Sequence, residues 1–193
     1  MNNITDIANH VVEETKSVDY QYFALEAISD IFCVLMAIFL IGQGIRKLLP
    51  FHSGYSASKK GFFFLANRWG VAEYPHLFRT IVGILEVLVF IGCMMCFLPQ
   101  PGVQAIVCMA LITGIALCVP FLITRWSDPW KERLPMMQQM AQGGTALAIR
   151  LYQDVPTESL QSIEVFAVFT IIGLAFMIYR RARYGRIPNP LLG

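Results

Sequence analysis

At 193 residues with 56% apolar and only 15% charged side chains, the chain departs from ordinary soluble domains, which carry about 25% charge. That length suits one compact bundle with short connections and no separate soluble domain. A net charge of +2 leaves no electrostatic footprint for nucleic acid or an acidic partner, and the positive mean hydropathy puts the chain among membrane proteins.

In chain order, residues 1–30 form an acidic N-terminal extension with Asp6, Glu13, Glu14 and Asp19. It lacks the basic start and short apolar core of a cleavable signal, so insertion is expected to begin with the first span. Five stretches then compete to cross the bilayer. Residues 31–49 are uncharged as far as Ile45, and residues 78–98 follow as the second span. Residues 103–124 are uncharged throughout and hold Pro120, where a kink is expected. Residues 134–152 carry three Gln, two Gly and Arg150, and hydropathy alone rejects them. The last stretch, 164–179, is short, with chargeable ends that can snorkel.

Charge placement restores the doubtful fourth stretch. With five spans and a cytosolic C-terminus, thirteen of the fifteen Lys and Arg lie inside, leaving Lys16 and Arg150 outside. With four spans the same N-terminus gives ten against five, so the positive-inside tendency prefers five. The N-terminus is then lumenal, and Asn3-Ile4-Thr5 is a glycosylation sequon on that side. A span so poor in Leu and Val needs protein on its flanks. Its Ala and Gly residues permit close helix approach and its Gln amides can bond across helices; a re-entrant or surface segment is the competing reading. The segment between spans one and two mixes basic and aromatic residues over 59–70, as suits the headgroup boundary. The basic tail, 181–193, follows an additional helix in 153–180. Arg180, Arg181 and Arg183 there read either as a cytosolic retrieval signal or as a stop-transfer cluster drawn to anionic headgroups.

The chemistry concentrates on Glu86. A carboxylate inside an apolar span costs at least a few kcal/mol and marks a site by default. Arg79 lies two turns earlier on the same face with Gly83 between them, and Gln43 and Lys47 form a matching stripe on span one. Lys47 or Arg79 is expected to keep Glu86 ionised. Two roles stay open: an internal pair fixing helix register, and a polar site that meets a client or ligand. Cys93 and Cys96 form a C-x-x-C within span two, the pattern of a quinone-linked membrane thiol oxidoreductase. Intramembrane Cys is also a common packing residue, and i, i+3 thiols on a helix are poorly placed to bond. His10, His52 and His76 are isolated and the five Cys show no zinc spacing, so no metal or other cofactor is expected. No phosphate loop, nucleophile elbow or paired carboxylates appear, and the chain is read as a non-enzyme. A small-solute transporter is a further alternative, although such proteins usually show more intramembrane polar groups. Asp128-Pro129 reads as a helix N-cap followed by proline at the first helical position.

Four local motifs in order resemble the DoxX-like membrane family, and within it the NACHO-type chaperones of nicotinic acetylcholine receptors. They are Gly44-Ile-Arg-Lys47-Leu48-Leu-Pro50, Phe78-Arg79-Thr-Ile-Val-Gly83-Ile-Leu85-Glu86-Val87, the Pro99–Pro101 turn, and Asp128-Pro129. The resemblance implies an all-α polytopic bundle with a four-helix core over 31–152, residues 134–152 being its fourth helix, plus one additional C-terminal helix. It also implies an endoplasmic-reticulum assembly chaperone with membrane lipid and oligomeric ion-channel receptor subunits as partners. Residence at the plasma membrane is the alternative for an accessory subunit.

Overall fold

A computed structural model describes residues 2–50, 65, 66, 69, 74–98, 100–124, 130–153 and 155–184, and among them the chain is all-helical. Five α-helices follow one another: α1 Asn2–Leu48, α2 Pro75–Met94, α3 Pro101–Thr124, α4 Trp130–Gln153 and α5 Thr157–Tyr184. A single 3-10 turn, Met95–Phe97, closes α2. Among the described residues four segments are long and apolar enough to cross a membrane: Tyr20–Leu48, Pro75–Phe97, Gly102–Ile123 and Thr157–Tyr184. The protein is a multi-pass membrane helix bundle.

Two boundaries differ from the sequence reading. The extension and the first span are one continuous helix, since α1 begins at Asn2. No Gly or Pro occurs between Asn2 and Ile41, so nothing in the backbone breaks the helix at residue 30. At the other end α5 starts at Thr157 and runs to Tyr184, which places Arg181 and Arg183 in its last turn, where cations complement the helix dipole. Pro120 lies inside α3 and Pro135 inside α4 without ending either helix. Asp128 and Pro129 fall outside the described residues.

Helix directions alternate along the chain. α1 and α2 are antiparallel, with Gly44 opposite Val87 and Gly83 opposite Leu48. α4 is antiparallel to α1: Tyr22 meets Gln153, Ser29 meets Ala146, and Met36 meets Gly143. α3 and α5 run in the same direction, because Ile163 packs on Ala105 and Cys108 while Gly173 and Met177 lie near Thr113 and Phe121. α4 is therefore a helix running the depth of the bundle, although it is too polar to qualify as a span by composition. With 24 residues it extends about 36 Å.

The core is an apolar layer at mid-bundle. Cys33, Met36, Leu40, Val89, Leu111 and Ala146 are all within 2% of complete burial, each one facing inward from α1, α2, α3 or α4. α5 lies against the outside of α3 and buries only Ile163 fully.

Candidate functional site

Close approach of α1 and α2 makes the first site. A Cβ on Gly44 would stand 3.1 Å from the Gly83 carbonyl oxygen, and one on Gly83 would stand 3.0 Å from Leu48. A Cβ at either position would force its neighbours back by a few tenths of an ångström, so glycine at both lets the helices come this near, the small-residue device of membrane helix packing. The approach delivers Lys47 to Glu86. The ammonium donates to both carboxylate oxygens at 2.5 Å and to the Gln43 carbonyl at 3.4 Å. It also lies 5.8 Å from the centre of the Phe121 ring of α3. Lys47 is 5% and Glu86 3% exposed, so this ion pair is sealed inside the bundle.

The candidates named from sequence are thus sorted. Lys47, Glu86 and Gly83 are brought together, and Gln43 contributes its backbone carbonyl. Arg79 is also buried, at 4%, and is held by interactions of its own. Pro50 is exposed in the turn just past α1.

A second polar cluster, absent from the sequence reading, sits at the other end of the bundle. Arg150 of α4 reaches Asp30 of α1 with one guanidinium nitrogen and the Gln104 side-chain oxygen of α3 with another. Gln104 in turn donates to the Leu98 carbonyl at 2.9 Å, so one arginine ties three helices and the end of α2. Arg150 is 1% exposed, the largest fully buried side chain among the described residues. Asp30 and Lys47 are seventeen residues apart on α1, about 25 Å along the axis, close to the thickness of a hydrocarbon core. The two clusters bracket the uncharged run from Ile31 to Ile45. Sequence reasoning had counted Arg150 as an external charge and Asp30 as part of the extension. The missed signal was the symmetry: an acid and a base each bound an uncharged run, 31–45 on α1 and 134–149 on α4, and these helices pack antiparallel.

The thiols gather beside this second cluster. Cys33, Cys93 and Cys96 belong to one buried core, the Cys33 side chain lying against Cys96 and near Arg150. All five cysteines are free and buried. Cys33 of α1 is the neighbour of Cys96 in the 3-10 turn that closes α2.

The outward faces of the helices differ in character. α2 exposes Leu77, Ile81, Ile84, Leu88 and Ile91, and α5 exposes Val165, Val168, Phe169, Ile172 and Phe176. α4 exposes Leu134, Gln138, Ala141, Thr145, Ala148 and Tyr152, spaced by alternate steps of four and three like one seam of a coiled coil. The Thr145 hydroxyl is turned back to the Ala141 carbonyl at 2.9 Å. On the flank of the same helix the side-chain oxygens of Gln139 and Gln142 are buried and accept no hydrogen bond. Among the described residues no group of three or more His, Cys, Asp or Glu could hold a metal ion. Comparison with known protein families, with curated proteins and with solved structures finds no match.

Proposed function

We propose that this protein is an integral membrane assembly factor that binds transmembrane helices of an oligomeric ion-channel receptor and promotes their assembly. The outer seam of α4 carries this reading. Small residues at Ala141, Thr145 and Ala148 let another helix approach closely, and the Gln138 amide offers both a donor and an acceptor. Lipid satisfies neither group of an amide, which gives a partner helix an advantage over acyl chains at this face. Lys47 and Glu86 act within the protein, holding α1 against α2. Their mutual pairing favours the register role over direct contact with a client.

The experiment that tests it fills the seam. Ala141→Leu with Ala148→Leu adds bulk only where the helix faces outward, so the bundle is expected to accumulate normally. Recovery of receptor subunits with the tagged protein from native membranes should fall at least tenfold. Undiminished recovery would dismiss the seam as the contact.

We infer an N-terminus in the lumen from the basic asymmetry of the chain, and residence in the endoplasmic reticulum from the resemblance to assembly chaperones of that membrane. Asn3 stands within the first turns of α1 and not in the surface loop that suits a sequon. A flexible tag with a sequon is therefore added at each end in turn. The N-terminal tag is expected to be glycosylated and the C-terminal one not; modification at the C-terminus would reverse the orientation.

Clustering of Cys33, Cys93 and Cys96 keeps a thiol oxidoreductase as a second reading. Cys33 and Cys93 are fully buried and Cys96 is 6% exposed, so an exchanging thiol has no open route to the cluster. Cys93→Ala with Cys96→Ala is expected to leave receptor assembly within twofold of the wild type. Loss of assembly in a double variant that accumulates normally would favour the redox reading instead.

A further inference from the structure

α5 touches α3 firmly at Ile163, which is 3% exposed beside Ala105 and Cys108. Farther along, the two helices stand apart and leave a cavity of about 270 Å³ between α2, α3 and α5. Phe78 and Leu85 form one wall, Pro120 and Phe121 a second, and Gly173 and Met177 the third. Two threonines also line it. Thr113 gives its hydroxyl to the Met109 carbonyl at 2.8 Å and Thr170 gives its own to the Phe166 carbonyl at 2.9 Å. With both hydroxyls bonded to their own helices, the cavity meets its occupant through hydrocarbon. Its three walls are segments of bilayer-spanning length, so the surrounding solvent that can enter is lipid.

Two arginines stand beyond one end of this cavity. Arg180 and Arg181 follow Met177 by about one turn on α5, both half-buried, and about 5 Å farther along the axis. The Arg181 guanidinium lies 5.3 Å from the centre of the buried Trp69 ring, which fixes that charge beside the bundle. Basic groups at the mouth of an interhelical apolar cavity match an anionic headgroup above an acyl chain.

We propose that the α2–α3–α5 cavity binds one acyl chain of an anionic phospholipid, with the phosphate of that lipid at Arg180 and Arg181. The site is independent of the α4 seam, so it stands or falls apart from the assembly reading. Its occupant would wedge α5 against the four-helix core where the protein itself provides little contact.

The full-length protein reconstituted in vesicles of equal parts phosphatidylglycerol and phosphatidylcholine, then extracted in mild detergent, tests this by native mass spectrometry. One retained phosphatidylglycerol per chain is expected, preferred over phosphatidylcholine by about fivefold for each arginine. Arg180→Gln with Arg181→Gln should keep a retained lipid but abolish the preference. Gly173→Phe should abolish retention, and the residue has room: a Cβ there meets nothing within 4 Å. Thr113→Leu narrows the opposite wall and should lower retention too, so misfolding of one variant does not decide the matter. No retained lipid, equal retention of the two lipids, or retention untouched by both cavity-filling variants would each overturn the proposal.

Discussion

Glu86→Ala is expected to destabilise the protein by about 3 kcal/mol or more, because it leaves the Lys47 ammonium buried with its charged partner gone. Lys47 is only 5% exposed, so the ammonium has little water to turn to. The five buried free cysteines supply the readout: a thiol-reactive dye reports unfolding of the detergent-solubilised protein on heating. Lys47→Met alone should be damaging as well, since it strands the carboxylate. Lys47→Met combined with Glu86→Leu removes both charges and should recover most of the loss, as replacement of a buried pair by packed hydrocarbon is often close to neutral. A double variant no better than the singles would mean that the pair does more than satisfy itself.

Arg150→Met is the second large effect, expected at about 2 kcal/mol or more from the charged hydrogen bonds it removes. The loss falls on three helices together, because the guanidinium serves Asp30 and Gln104 at the same time. The Asp30 side chain is 25% exposed, so water softens the penalty on its side; Gln104, 8% exposed, has less relief. Arg150→Lys should recover only part of the stability. A lysine is a point charge on a flexible stem and cannot reach two acceptors with one planar fork. The same dye assay reads both variants, and full stability in Arg150→Lys would show that only the charge matters at this position.

These two clusters mark how far the sequence could be read. Glu86 stood out because a carboxylate within an apolar span is expensive, and that rule needs no tertiary information. Its choice of Lys47 over Arg79 was beyond reach. Arg79 shares a helix face with Glu86 by periodicity, whereas Lys47 comes from another helix, and the α1–α2 register that joins them depends on packing at Gly44 and Gly83. Asp30 and Arg150 are each legible as a charge at the end of an uncharged run, yet they are 120 residues apart, and only the antiparallel placement of α4 on α1 brings them together. The same long-range packing hid the neighbourhood of Cys33 and Cys96. The fourth helix failed by hydropathy for a physical reason: its buried side faces glycine and alanine contacts and a charged arginine rather than bulky hydrocarbon. Charge distribution, which reports on the whole chain, argues for a crossing that local composition rejects. The acidic residues before Ile31 end the apolar stretch of α1 and not the helix, which begins at Asn2.

The assembly reading rests on the outward seam of α4, and the contact itself can be recorded in the membrane. A photo-crosslinking amino acid is placed at Ala141 or Thr145 on the seam, and at Ile172 on the lipid-facing side of α5 as the contrast, in cells that make a nicotinic-type receptor. The account predicts adducts with receptor subunits from Ala141 and Thr145 and none from Ile172. Adducts from Ile172 alone, or none from either seam position while the receptor still depends on the protein for assembly, would contradict it.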